Sequence, residues 1–374
     1  MIVYKNGGFM PDIPLVTVIT PTNNIVDNEL TDDFNLLVSL LDKQNYPNIE
    51  HIVIDKASKD GTVQLLQDYK NKGYIQYYSE FDNGKFAAIN KGIMHANGKY
   101  VTFLGCDDFI HNIMAISQII EIMENYDAAF SYGASTVIHP EGVVFPFEPS
   151  IYNAFQVMPC AKQAMFFKKS VLAAEGYFDE KFKNMADFDM VIRLMLKEYT
   201  GVLYNNNYVT WKLSEEVVGN PDMINNEIKA VYIKNYRNLV QLTDKMLEDM
   251  VTYSKFPQPL LDRLAQLFPD ENRQEFLDAC ENMYQTRYNL LNPQTEADES
   301  SITEEALNEE EVQTEQQSQP QPQKSSMNQS GMGMGQASPR PAMPGMSGMP
   351  RPNPGLQTNP QMNPTRPQMP PRFQ

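Results

Sequence analysis

A chain of 374 residues, 42% of them apolar, is long enough for one large domain or two ordinary ones around a sizeable core. The net charge of −17 argues against nonspecific binding to nucleic acid or anionic lipid, and no run approaches the roughly 18 apolar residues of a transmembrane helix. Cys106, Cys160 and Cys280 are odd in number and widely spaced, with no CxxC, so no disulfide framework is expected. They suit a reducing compartment. The opening MIVYKNGGFMPDIP has neither the basic start and apolar core of a signal peptide nor a cleavage site, and a cytoplasmic location is expected.

Leu15 to Thr20 is a nearly continuous β-branched run stopped by Pro21, the pattern of a central parallel strand covered on both faces. Pro21, Thr22, Asn23 and Asn24 then form the first loop at the edge where open α/β sheets bind ligands. Phe34, Leu37, Val38 and Leu41 recur at helical spacing and predict an amphipathic helix over Thr31–Lys43. Ile52–Asp55 reads as a second buried strand, and Ser58-Lys59-Asp60-Gly61-Thr62 as the cap of a helix running to Asn71. Asp82-Asn83-Gly84 opens a helix from Gly84 to His95, whose amino terminus turns unpaired N–H groups to the same crevice. Gly98–Gly105 is a short β-rich run, followed at once by Cys106-Asp107-Asp108. Two carboxylates thus stand at the surface edge beyond a strand end, and hard oxygen ligands of this kind suit Mg²⁺ or Mn²⁺ carrying a diphosphate. Strand and helix alternate throughout, which is the doubly wound pattern.

Ile113–Asn125 is predicted helical, with strands at Ala128–Gly133 and Ser135–Ile138. None of His51, His95, His111 and His139 sits in a metal-ligand spacing. Ile224–Val251, Leu260–Phe268 and Arg273–Leu291 are predicted as three helices, serving either as an appendage on the core or as a dimer contact. From Pro293 onward the composition turns to Glu, Gln, Pro, Gly and Met without apolar periodicity, so disorder is expected. Nine acidic and five basic residues lie there, leaving −13 for the rest. The tail is read as solvated extension, its Pro-rich pieces as the alternative of a partner site.

Ser79-Glu80-Phe81-Asp82-Asn83-Gly84, Ala88-Ile89-Asn90-Lys91-Gly92 and Phe103-Leu104-Gly105-Cys106-Asp107-Asp108 resemble, in order and spacing, the central block of family 2 nucleotide-sugar glycosyltransferases of the GT-A fold. Gln44–Asp55 with Ser58–Thr62 resembles that family too, as do Gln163–Ser170, Gly176–Glu180 and Ala186–Leu194. The resemblance spans Leu15–Trp211. It implies a GT-A type doubly wound (Rossmann-like) mixed sheet over residues 1–215, ahead of a helical extension over 216–292 and the tail over 293–374.

The same resemblance implies donor binding by Pro21, Thr22, Asn23, Asp55, Asp82, Gly84, Asn90, Lys91 and Asp107, with Asp55 against the nucleoside base. It implies Asp108 and Asp107 on Mn²⁺ or Mg²⁺, Asp187 as catalytic base at a helix start, and the loop Trp211–Gly219 near the acceptor. On the residues alone, Asp55 also reads as a turn cap and Asp187 as a helix-start charge held by the dipole. Three positions depart from the family: Asn23 replaces an aromatic, Lys56 an aspartate and Lys162 a histidine. Lys162 faces either the donor phosphates or solvent. The Q/RxxRW signature of processive relatives is absent after Arg193. The implied reaction is an inverting, metal-dependent transfer of a single sugar from a UDP-linked donor to the hydroxyl of a glycan, lipid-linked or protein acceptor. The alternative is a weak or inactive domain that binds nucleotide or serves assembly, with association through the C-terminal helices.

Overall fold

The computed structural model describes residues 13–213 and 215–293. The expected disordered tail, and the opening residues read for a signal peptide, lie outside them. The β-branched run forms β1 (Val16–Thr22), whose Val16, Val18 and Ile19 are fully buried. It is followed by α1 (Thr31–Asp42), β2 (Ile49–Asp55), α2 (Thr62–Asn71), β3 (Gln76–Ser79), α3 (Lys85–His95) and β4 (Tyr100–Phe103). β3, β2, β1 and β4 lie side by side and parallel, so their carboxyl ends share one edge. A parallel sheet needs cover on both faces, and the helices between the strands supply it. α3 lies so close to β1 that a Cβ on Gly92 would stand 2.4 Å from Ile19 Cγ2.

After β5 (Phe109–Ile110) and α4 (Ala115–Asn125) the sheet becomes mixed. β6 (Phe130–Ile138) joins the two expected strands into one, with a register shift between Gly133 and Ser135. It turns back at His139–Val143 into β7 (Val144–Phe147), antiparallel to it. β8 (Met165–Lys168) runs antiparallel between β4 and β6, and is followed by α5 (Lys169–Ala174) and α6 (Ala186–Leu196). β9 (Gly201–Lys212) pairs parallel with β6 and antiparallel with β5, closing the order β3-β2-β1-β4-β8-β6-β9-β5 with β7 beside β6.

Two expectations are corrected here. Trp211 and Lys212 complete β9, and Glu215–Gly219 is a short helix, α7, rather than loop. The single helix expected over Ile224–Val251 is two: α8 (Pro221–Tyr236) and α9 (Asp244–Tyr253). Tyr236 is fully buried with its hydroxyl on Phe155 O, and Thr243, in extended conformation, starts α9 by accepting from Met246 N at 3.2 Å. α10 (Gln258–Ala265) and α11 (Arg273–Leu291) follow. One apolar cluster runs from Val16 of β1 through Phe188 of α6 to Tyr232 of α8 and Cys280 of α11, so these helices share the core of the sheet. Among the described residues, no helix is long and apolar enough to cross a membrane.

Candidate active site

The edge shared by β1 to β4 collects the residues singled out from the sequence. Register pairs Thr22 with Asp55 and Asp55 with Ser79. Asp55 is fully buried, and its carboxylate accepts from Ser58 N (2.9 Å), Ser58 Oγ (2.5 Å), Ser79 Oγ (2.6 Å) and Thr22 Oγ1 (3.3 Å). Four donors match the number of lone-pair directions on a carboxylate. Ser58 therefore serves Asp55, and the start of α2 is left to Asp60, which accepts from Thr62 N at 3.1 Å. Asn23 is exposed, and Asn24, with a φ of 49°, takes its N–H to Ser58 Oγ, so the first loop and the loop after β2 are tied together. Contrary to the expectation that Pro21 stops the strand and begins the loop, Pro21 and Thr22 lie in β1, paired with Ile54 and Asp55, and the loop starts at Asn23.

The loop entering α3 is held just as closely. Asp82 is buried, accepts from Gly84 N at 2.9 Å and lies 4.0 Å from Lys56. Gly84 takes a φ of 138°, which a side chain would resist. Lys91 donates to Phe81 O and pairs with Glu80 at 3.0 Å. Asn90 is buried and exchanges hydrogen bonds with Phe178 N and O, also donating to Glu180. Both side chains thus brace the loops around the crevice.

Beyond β4, the order of exposure corrects the picture of a surface-edge pair. Asp108 is 2% exposed, while Asp107 is half-buried. Asp108 Oδ2 accepts from Gly105 N at 2.6 Å. Burial pushes its carboxyl up to about 6, with Lys162 foremost among the groups that pull it back, followed by the Gly105 N–H and, at the end, Gln163. A Cβ on Gly105 would stand 3.2 Å from both Asp107 Oδ1 and Asp108 Oδ2, so the two carboxylates border one point that glycine leaves open. Hard oxygen donors around such a point fit Mn²⁺ or Mg²⁺. Among the described residues no group of three or more His, Cys, Asp or Glu could hold an ion, so its remaining ligands would be diphosphate oxygens and water.

Asp187 stands in the first turn of α6, its Oδ1 accepting from Phe188 N at 2.9 Å. Burial raises its carboxyl above the ordinary range, and Lys85 and then Lys162 draw it back. The charge of Lys162 thus favours the anionic form of both Asp108 and Asp187. A cleft of about 440 Å³ is lined by Lys56, Lys85 and Lys183, with Gly84, Glu180 and Asn184 among its other residues. Three cations against the one carboxylate of Glu180 give the cleft a net positive lining, which suits a phosphate-bearing ligand. Lys85 carried a faint signal in the sequence, its place right after the glycine that opens a helix. Lys212, at the end of β9, carried none: burial works against its charge, but Asp33 at 2.8 Å, and behind it Asp107, hold it above the ordinary lysine value.

The family model of glycosyl transferase family 2 matches residues 18–198. An uncharacterized glycosyltransferase of Mycobacterium tuberculosis is 30% identical over 194 residues, covering 50% of this chain and 71% of that protein. The chain belongs to glycosyl transferase family 2. Among other members of the family, a Bacillus subtilis glycosyltransferase named for teichuronic acid biosynthesis, TuaG, is 35% identical over 131 residues. That match covers 34% of this chain and half the length of TuaG. Staphylococcus aureus TarS is similar in structure with a TM-score of 0.48 and 17% identity, over 73% of this chain and 54% of that one. As a family 2 glycosyltransferase, the chain is a transferase acting on nucleotide sugars.

Proposed function

We propose that this chain moves a single sugar, with inversion, from a UDP-linked donor to an acceptor hydroxyl, with Asp187 as general base. The observation that supports the proposal is that the Asp107-Asp108 pair stands beside Gly105 beyond β4, with the charge of Lys162 acting on both Asp108 and Asp187. The donor diphosphate lies toward Lys162, Lys85 and Lys56, and the nucleoside rests against the loops that Asp55 ties together. The acceptor oxygen forms its bond to the anomeric carbon as the bond from that carbon to the diphosphate oxygen breaks. The electron pair leaves with the nucleotide diphosphate, and the hydroxyl proton passes to Asp187. Asp107 and Asp108 would hold Mn²⁺ or Mg²⁺, which supplies charge neutralisation for the leaving diphosphate. A raised carboxyl suits a base, because a proton is taken up more readily by a carboxylate that burial has made basic. Holding both reactants in one cleft supplies the proximity.

A panel of nucleotide sugars, with Mn²⁺ and with chelator, tests the reading by released nucleotide diphosphate, and the product anomer tests inversion. Asp187→Asn is expected to keep nucleotide and metal binding while slowing transfer on the order of 10²-fold or more. Transfer at the parent rate would remove Asp187 as the base. A chain that binds nucleotide yet turns over no donor in the panel would favour the assembly-module alternative.

A further inference from the structure

The chain on either side of Asp187 is held by one helix, α8, that lies outside the matched region. The residues just before it, Lys183, Asn184 and Met185, point their backbone N–H groups at a single carboxylate, that of Glu227 on α8, at 3.2, 2.8 and 3.0 Å. Met185 is the N-cap residue of α6 and makes no side-chain cap hydrogen bond, while Lys183 and Asn184 belong to the segment that leads into the helix, so Glu227 holds the entry to α6 from outside. Just after Asp187, Phe188 packs edge-on against Tyr232, with ring centroids 6.1 Å apart. Asp189, fully buried, accepts from Lys234 at 2.8 Å and Asn235 at 3.0 Å as well as from Arg193. α8 therefore grips the chain on both sides of Asp187 and leaves the carboxylate between. Lys183 and Asn184 also line the cleft beside the site.

We propose that Glu227 is the positioning residue for the catalytic base: its carboxylate fixes residues 183–185, and through them the direction in which Asp187 meets the acceptor. The proposal rests on the reading of Asp187 as base. A carboxylate accepting three N–H groups at a helix start gains both charge-assisted hydrogen bonds and the helix dipole, so the contact is firm enough to set a geometry. A misplacement of about 1 Å at a reacting group costs on the order of 10²-fold in rate, which makes such a fixture worth keeping far from the chemistry.

The test uses the full chain, Glu227→Gln and Glu227→Ala, alone and combined with Asp187→Asn. Hydrogen exchange at the amides of 183–185 is expected to quicken in Glu227→Ala. UDP affinity with Mn²⁺ is expected to stay at the parent value, while kcat for the UDP sugar selected by the panel falls on the order of 10²-fold. Glu227→Gln, which keeps one acceptor oxygen for Asn184 and Met185, is expected to fall between, and it carries the test if the alanine variant does not fold. In the Asp187→Asn background, removal of Glu227 should cost nothing further, since a residue that acts only through the base has nothing left to position. Unchanged exchange, an unchanged kcat, an equal loss of UDP affinity, or a full additional loss in the double variant would each overturn the proposal. A single Asp187→Asn variant that transfers at the parent rate is a different failure, that of the base itself.

Discussion

The charge of Lys162 favours the anionic form of two carboxylates, Asp108 and Asp187, against the burial that opposes it. With the cation removed in Lys162→Met, the anionic form of Asp187 loses support and its proton is held to higher pH. The base works as the anion, so the acid limb of the pH profile of kcat is expected to move upward, and a limb that stays in place would put Lys162 outside the site. His51 supplies a second titration, this one of stability. Burial holds its imidazole down at about 4 from 6.5, its Nδ1 has no partner among the described residues, and its Nε2 lies 2.9 Å from Thr20 Oγ1. An unfolded chain takes up that proton first, so the contribution is complete above the unfolded value and is lost as pH falls toward the folded one. The loss reaches roughly 3 kcal/mol. Urea unfolding at neutral and mildly acid pH, with the imidazole midpoint followed by magnetic resonance, checks it, and a midpoint near 6.5 would contradict it. The acidic residues of the site were legible in the sequence because motif order pointed to them. Glu227 was not, because its role depends on three N–H groups some forty residues away.

α3 and β1 meet without room to spare. Gly92→Ala would drive a methyl to 2.4 Å from Ile19 Cγ2, an atom of a β-branched side chain fully buried in the central strand. The helix gains about 1 kcal/mol of propensity from alanine, whereas overpacking costs about 1–3 kcal/mol, so a net loss of stability is expected. Thermal unfolding decides it, and a raised melting temperature would mean that β1 can yield. Strands such as β1 and β2 could be read directly, since strands buried on both faces show a nearly continuous β-branched stretch, residues 16–20 in one and 52–54 in the other. The break between α8 and α9 could not. Apolar residues continue at three and four spacing on both sides of it, from Val231, Tyr232 and Tyr236 to Leu247 and Met250, and only the cap at Thr243 marks the new start. β6 shows the reverse: one strand, with a register shift between Gly133 and Ser135, looked like two.

At a larger scale, the main hydrophobic cluster of the sheet also takes in the helices after it, so the packed core continues beyond the end of the family match. The sheet also has borders, and one of them is β7. From the His139 N to Val143 O bond, the antiparallel alternation turns the backbone groups of Val144 and Pro146 outward, while Val143, Val144 and Phe145 expose apolar side chains. Such a border is a template on which another chain can add a strand. Proline at the outward position withholds the N–H that an incoming strand would need, which makes Pro146 a guard against self-association. Pro146→Thr restores that donor and favours strand pairing, so sedimentation velocity across a concentration series is expected to show growing oligomers for the variant and none beyond the parent's own state for the parent. Identical behaviour of the two would leave Pro146 as a hairpin residue and nothing more. On that expectation, the concentration at which copies of the variant begin to add to one another lies below that of the parent.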